Sequence, residues 1–113
     1  MNRILVDFGR YSTTLWFKDG FTSVKGDLME VAEKIYNIAT VKIVNKKTGI
    51  TSVEQEYELY IDYFGYGQPL EDILKSKYDL RVERCKTYKN HKDYNCDEQQ
   101  VIEVNDELFK FIK

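Results

Sequence analysis

The stretch LYIDYFGYGQPLEDIL, from Leu59 to Leu74, decides the fold, because an apolar strand, a glycine loop and a helix follow one another within it. The apolar run ends at Asp62, two glycines follow, and Pro69 suits the first turn of a helix. A strand that leads through a helix to a further strand is typical of a parallel pair. The stretch therefore predicts a parallel portion of a sheet, with a carboxylate at the carboxyl end of one strand.

The N-terminal stretch RILVDFGRYSTTLWF, residues 3–17, repeats this pattern with a different continuation. Its first half is a continuous apolar run broken only by Asp7, as expected of a strand that is covered on both faces. The β-branched and aromatic residues 13–18 predict a second strand, and the Asp-Gly pair at 19–20 predicts a turn into a third. This end of the chain therefore predicts antiparallel strands.

The rest of the chain alternates between helix and strand signals. Asp27 precedes an apolar stripe of helical spacing and has Glu30 three residues later, which is the pattern of a capping box. Further strands are predicted at 40–45, 53–63, 80–85 and 99–104. Residues 1–113 therefore predict a single compact domain of the α/β or α+β class, with a mixed sheet and two main helices.

Composition limits the classes of protein that this chain can belong to. It has 113 residues and a formal net charge of -2, so it is not a generally basic nucleic-acid-binding protein. A single histidine, His91, leaves no base for a serine or cysteine triad elsewhere in the chain. No apolar run reaches the roughly 20 residues of a membrane span, and no signal peptide is recognisable, so we expect a cytoplasmic protein without a membrane partner.

Asp7 and Asp62 are the main candidates for chemistry. Ligands of parallel sheets bind at the carboxyl ends of strands, and each aspartate stands at such an end, before a glycine. If the two strands are neighbours, the carboxylates converge, and a bound cation relieves their repulsion. Oxygen ligands of this kind select Mg²⁺ or Mn²⁺. The alternative is turn chemistry, in which an aspartate bonds its own backbone and the glycines only reverse the chain.

Two stretches carry a resemblance to a known superfamily. ILVDFGRYSTTLWFKDG resembles the opening hairpin of the ribonuclease-H-like superfamily, whose first strand ends in Asp-x-Gly, and YIDYFGYGQPLEDILKSKYDLRVE is similar to a later segment of phage terminase nucleases and Holliday-junction resolvases. The resemblance implies a reduced ribonuclease-H-like fold in which Asp7 and Asp62 hold the metal and Asp106 completes the catalytic set. The family also has an acid on its first helix, but here Glu30 and Glu33 fall opposite the apolar stripe, towards solvent.

A basic and aromatic stretch from residue 81 to residue 94 predicts contacts with a nucleic-acid substrate, since cations follow phosphates and tyrosines stack on bases. The alternative is that this stretch is a solvent-exposed hairpin without a binding role. A zinc site at Cys85, His91 and Cys96 has no standard spacing and is disfavoured. The candidate nucleic-acid-binding residues are Arg81, Arg84, Lys86, Tyr88, Lys89 and Lys92.

These patterns favour a small nucleic-acid-directed protein, and in particular a Mg²⁺-dependent nuclease. The alternative is a non-enzymatic inhibitor from a phage or mobile element, similar to anti-CRISPR proteins in size and composition, which needs no cofactor and blocks a nucleic-acid-binding protein. Such a blocker would use an acidic row that imitates phosphates, or exposed aromatic side chains as anchors. The candidate partner-binding residues are Glu54, Glu56, Glu58, Tyr63, Phe64 and Tyr66.

Overall fold

The fold is built around β1 (Asn2–Phe8), which has an antiparallel neighbour on one side and a parallel neighbour on the other. In this computed structural model, residues 2–17, 20–62, 67–85 and 101–102 are described. The main sheet has the strand order β3-β2-β1-β6-β7-β8. The other strands are β2 (Thr13–Phe17), β3 (Gly20–Val24), β4 (Thr40–Val44), β5 (Thr51–Gln55), β6 (Tyr57–Asp62), β7 (Val82–Cys85) and β8 (Val101–Ile102), and the helices are α1 (Leu28–Ala39) and α2 (Gly67–Ser76).

The pairing agrees with the predicted division of the sheet. β1, β2 and β3 are antiparallel, whereas β1, β6, β7 and β8 are mutually parallel. The prediction of a small domain with a mixed sheet and two main helices is therefore confirmed for the described residues, and the fold is α+β. Neither described helix is long and apolar enough to cross a membrane.

Both helices pack their apolar stripes on one face of the sheet. Helix α1 begins as expected, because the Glu30 amide donates a hydrogen bond of 2.9 Å to Asp27 Oδ1, which satisfies a backbone donor of the first turn. Burying each large aliphatic side chain of this core stabilises the fold by about 1.5–3 kcal/mol. The core between the sheet and the helices includes Ile4, Val6, Leu59, Ile61, Val31, Ile35, Leu70 and Leu74.

The predicted single strand over residues 53–63 is wrong, because the chain changes sheets at Glu56. Residues 51–55 pair with β4 in a separate two-stranded sheet, and residues 57–62 enter the main sheet as β6. The Glu56 amide donates a 2.7 Å hydrogen bond to the Ala39 carbonyl, which joins the two ends of the β4–β5 insertion. We call the two-stranded sheet, residues 40–55, the ribbon.

The ribbon differs from the rest of the fold in its exposure. Every residue from 41 to 54 is exposed, and only Thr40 and Gln55, at the base, are partly covered. Gln55 fixes that base: its side-chain amide donates to the Tyr57 and Arg81 carbonyls at 2.8 and 2.9 Å, and its oxygen accepts from the Arg81 amide at 2.8 Å. The ribbon is therefore tied to the main sheet at its base and extends into solvent beyond it.

Candidate functional site

Asp7 stands at the carboxyl end of the central strand of the main sheet. The three residues before it, Ile4 to Val6, are completely buried, whereas Asp7 is partly covered. Ile4 and Val6 belong to the core, so the strand's alternation places Asp7 on the other face of the sheet, away from the helices. The strand thus places this residue at the end of the sheet where the parallel strands have their carboxyl ends.

Gly9 has a steric role in the turn that follows Asp7. Its amide donates to the Ser12 carbonyl oxygen at 3.1 Å, and a Cβ added at Gly9 would lie 2.4 Å from that same oxygen. No side chain fits such an approach without a shift of the backbone. The glycine of the Asp-x-Gly pattern is therefore accounted for by the tight hairpin between β1 and β2.

Asp62 ends the strand next to the one that Asp7 ends. The parallel pairing of β1 with β6 runs from Asn2 opposite Tyr57 to Val6 opposite Ile61, and each aspartate is one residue further on. Neighbouring strands are about 4.8 Å apart, so the backbones of the two aspartates end adjacent strands at matching positions. This is the neighbour relation that a shared cation at the sheet edge requires.

The other acidic candidates do not join this pair among the residues described. Glu30 and Glu33 lie on the exposed side of α1, as the apolar stripe predicted. Asp106 lies outside the described residues. Within the described part of the chain, no three His, Cys, Asp or Glu side chains are grouped as a metal site.

The basic stretch is described only at its beginning, where two arginines have different surroundings. Arg81 is exposed, and its backbone is held by Gln55 at the base of the ribbon. Arg84 instead points to α2, where its Nε lies 3.0 Å from an Oε of Glu71. The remaining candidates of this stretch, Lys86, Tyr88, Lys89 and Lys92, lie outside the described residues.

The ion pair of Arg84 with Glu71 is a structural contact that sequence reasoning missed. The Glu71 carboxylate is 4% exposed and also accepts from Lys75 Nζ at 3.2 Å. Burial alone raises the pKa of Glu71, but the hydrogen bonds and charges of Arg84 and Lys75 outweigh it, so the pKa is lowered. Glu71 is thus a buried anion with two cationic partners, and it holds Arg84 against α2.

The acidic row is divided between the two sheets. Glu54 and Glu56 are exposed on the ribbon and at its junction with β6. Glu58 lies on the main sheet, where Tyr60 donates a 2.7 Å hydrogen bond to it and Arg3 Nε lies at 3.4 Å. The Tyr60 bond is the largest cause of a lowered pKa at Glu58, and burial followed by the same bond raises the pKa of Tyr60. Of the proposed aromatic anchors, Tyr63, Phe64 and Tyr66 lie outside the described residues.

Two exposed features escaped sequence reasoning. Arg10 and Tyr11 form the tip of the β1–β2 hairpin, beside Asp7; Tyr11 is 84% exposed and lies 5.6 Å from the Arg10 guanidinium carbon. The signal was present, since residues between two tightly paired strands must point outwards. The other feature is the ribbon itself, whose lysines Lys42, Lys46 and Lys47 were passed over because the stretch reads as an ordinary strand and turn.

Comparison of the chain with family models, with curated proteins and with solved structures returned no match.

Proposed function

We propose that this protein is a small nucleic-acid-directed enzyme of the ribonuclease-H-like kind, which cleaves phosphodiester bonds with Mg²⁺ or Mn²⁺. The observation that carries the proposal is the register of β1 and β6, which ends two adjacent parallel strands in Asp7 and Asp62. The antiparallel β1–β2 hairpin and the later β6–α2–β7 unit, with α1 between them, follow the order of the two resembling segments. The described residues thus support the proposal through backbone placement.

Asp7 and Asp62 suit the first part of this chemistry. Mg²⁺ is commonly held by one or two protein carboxylates together with substrate phosphates, so two aspartates are a sufficient protein share of such a site. When bound, the ion supplies charge stabilisation to the phosphate and a more acidic water. The strand ends hold the backbones of both residues at neighbouring positions, and Asp106 is the proposed third acid.

Arg10 and Tyr11 suit the second part, the positioning of substrate. Their hairpin tip directly follows β1, so a guanidinium and an exposed aromatic ring stand at the edge where Asp7 lies. A guanidinium binds phosphate oxygens, and an aromatic ring stacks on a base irrespective of sequence. We propose that these two residues hold a nucleotide beside the metal ligands.

The test is cleavage of labelled single-stranded, duplex, hybrid and branched nucleic acids with Mg²⁺ or Mn²⁺, and with chelator. Asp7→Asn and Asp62→Asn are each expected to abolish cutting, whereas Asp72→Asn, on the exposed side of α2, is expected to cut like the wild type. Thermal unfolding shows that each variant is folded. Wild-type protein that is folded and metal-saturated but cuts none of these substrates contradicts the proposal.

The second candidate is a non-enzymatic inhibitor that blocks a nucleic-acid-binding protein. It is supported by Glu54 and Glu56, which present two carboxylates to solvent at the base of the ribbon. Glu58 supports it less, because its carboxylate is bonded by Arg3 and Tyr60. An inhibitor retains its activity in the Asp7→Asn, Asp62→Asn double variant and loses it in a Glu54→Gln, Glu56→Gln variant, which separates the two candidates.

A further inference from the structure

The ribbon exposes apolar side chains on both of its faces. Opposite residues of an antiparallel pair share a face, so Val41 and Ile43 lie on one face, while Val44 and Val53 lie on the other. The Asn45–Ile50 pair continues the register, since the Asn45 amide donates to the Ile50 carbonyl at 2.9 Å, and it adds Ile50 to the first face. These side chains are 40–66% exposed, and an isolated two-stranded sheet gains little stability from such residues.

The tip of the ribbon is rigid and basic. Asn45 Oδ1 accepts from the Lys47 amide at 2.9 Å, and the Gly49 amide donates to the Asn45 carbonyl at 2.7 Å. Gly49 has φ +71°, which glycine adopts without the strain that other residues meet. The turn therefore fixes Lys46 and Lys47 at the far end of the ribbon, next to Ile50, which is 66% exposed.

The charge of the ribbon is opposite to that of the whole chain. Residues 40–55 contain three lysines and one glutamate, while the chain as a whole has a formal charge of -2. An anionic partner is therefore attracted to this part of the molecule. The apolar residues narrow the choice of anionic partner further. They are divided between two faces of the ribbon, so they form no single patch for a flat protein surface.

The groove of a double helix meets these requirements together. A two-stranded ribbon fits within the major groove of DNA, where apolar side chains contact base edges such as the thymine methyl group. Cations at the same position reach the flanking phosphates. We propose that the ribbon is an arm that binds double-helical nucleic acid, with Lys46 and Lys47 on phosphates and Ile50 against the base pairs.

The arm deepens the proposed function, on which it rests for its role in cleavage, by naming a duplex as the substrate. The ribbon leaves the main sheet at the amino end of β6, and Asp62 lies at the carboxyl end. Five steps along β6 and five along the ribbon from Gln55 to Ile50 span at most about 34 Å, which equals about ten base pairs along a duplex. A duplex of about ten base pairs or more is therefore long enough to reach from the tip of the arm to the aspartate pair.

The test measures binding of the full chain without cleavage, by fluorescence anisotropy in chelator. The probes are a DNA duplex, an RNA duplex and a single strand of the same sequence, each over a series of salt concentrations. The wild type is expected to bind at least one duplex about tenfold tighter than the single strand, and the preferred duplex identifies the natural one. A folded wild type that binds neither duplex at low salt overturns the arm, and cleavage measured separately decides the proposed function.

Matched variants locate the contact. Lys46→Ala with Lys47→Ala is expected to weaken duplex binding about tenfold or more and to lower the salt slope by about 1.8 for DNA. Lys25→Ala with Lys77→Ala removes the same charge from exposed sites elsewhere and is expected to change binding less than about twofold. Equal losses in the two pairs overturn the arm, because they reduce it to net charge.

Ile50→Ser tests the apolar contact with the base pairs. It is expected to weaken duplex binding with an unchanged salt slope, whereas Met29→Ser, at an exposed position of α1, leaves binding as it is. Light scattering of both variants gives the oligomeric state. A wild-type dimer that Ile50→Ser dissociates, without any effect on duplex binding, assigns the ribbon to self-association and overturns the arm.

Discussion

The central strands of the main sheet and the strands of the ribbon are rich in the same β-branched residues, yet they meet opposite surroundings. Ile4 and Val6 of β1 are 0% exposed, whereas Ile43 and Val44 of β4 are 42% and 57% exposed. The difference lies in what covers each sheet, since α1 and α2 pack on β1 and β6. Composition thus decides that a segment is a strand, and its neighbours decide whether that strand is a core or a surface.

The comparison is tested most strongly by the same truncation in both sheets. Ile61→Ala removes a side chain that is 1% exposed and is expected to lower the free energy of unfolding by about 2–5 kcal/mol. Ile43→Ala, in the ribbon, is expected to change it by about 0.5 kcal/mol or less. Urea unfolding measures both. A large loss in Ile43→Ala would show that the ribbon packs against something in solution.

Helix α2, which packs on the main sheet, also contains a buried charge whose removal should lower the free energy of unfolding. Glu71→Gln removes the charge that Arg84 and Lys75 contact and is expected to cost about 2–3 kcal/mol at pH 7, less than for a fully buried pair, since the Arg84 side chain is 24% exposed. Because the folded-state pKa of Glu71 is lowered, this stabilisation is present above the pKa of the unfolded chain. It is lost as the pH falls through the lowered value.

Denaturant midpoints of wild type and Glu71→Gln between pH 7 and pH 2 measure this effect. The two curves are expected to converge at the acid end. Asp72→Asn, one position along the helix and exposed, is the control and should follow the wild type throughout. A gap between wild type and Glu71→Gln that stays constant with pH contradicts the assignment of Glu71 as an anion.

The turns of the two regions need glycine for different reasons, and substitution separates them. Gly9→Ala places a methyl group against the Ser12 carbonyl and is expected to cost about 1–3 kcal/mol, and Gly9→Asn no less. Gly49 has open space around its Cα but a positive φ, so Gly49→Ala should cost about 1 kcal/mol. Gly49→Asn should recover most of that, because asparagine tolerates this conformation. Thermal unfolding of the four variants measures these differences. If Gly9→Asn were more stable than Gly9→Ala, the steric explanation for Gly9 would be refuted.

A modest effect is expected at the joint between the two regions. Gln55→Ala removes three hydrogen bonds to the backbone and is expected to cost about 1–2 kcal/mol. Gln55→Glu keeps the shape and the bond from the Arg81 amide, but its carboxylate faces two carbonyl oxygens. Hydrogen exchange of the Arg81 amide reports the joint directly. Faster exchange in Gln55→Ala than in Gln55→Glu is expected, and equal exchange would show that the anchor is elsewhere.

Local signals predicted much of the fold from the sequence. The cap at Asp27, the apolar stripe of α1 and the antiparallel and parallel portions of the main sheet all follow from spacing and turn residues. The break at Glu56 did not, because the apolar positions keep the same phase on both sides of Gln55, at Val53 and Tyr57, and no Gly or Pro marks it. A strand that moves from one sheet to another keeps its pattern, and only the backbone partners change.

The candidate site was predictable from the sequence only in part. The pattern predicted that Asp7 and Asp62 end strands, but the adjacency of those strands was only a condition of the prediction, and the pairing of β1 with β6 meets it. The pairing of Arg84 with Glu71 joins a strand to a helix thirteen positions earlier, and the sequence contains no periodicity that links them. The site at Asp7 and Asp62 stays a prediction that the cleavage experiment tests.

The hydrogen bond from the Glu56 amide to the Ala39 carbonyl closes the base of the ribbon at 2.7 Å. The two points where the ribbon leaves and re-enters the main fold are therefore neighbours in space. A segment with adjoining ends can be shortened to a tight turn, or exchanged for another hairpin, without displacing α1 or β6. The ribbon is in this sense an exchangeable insertion, and the main fold can accept hairpins of different length and chemistry in its place.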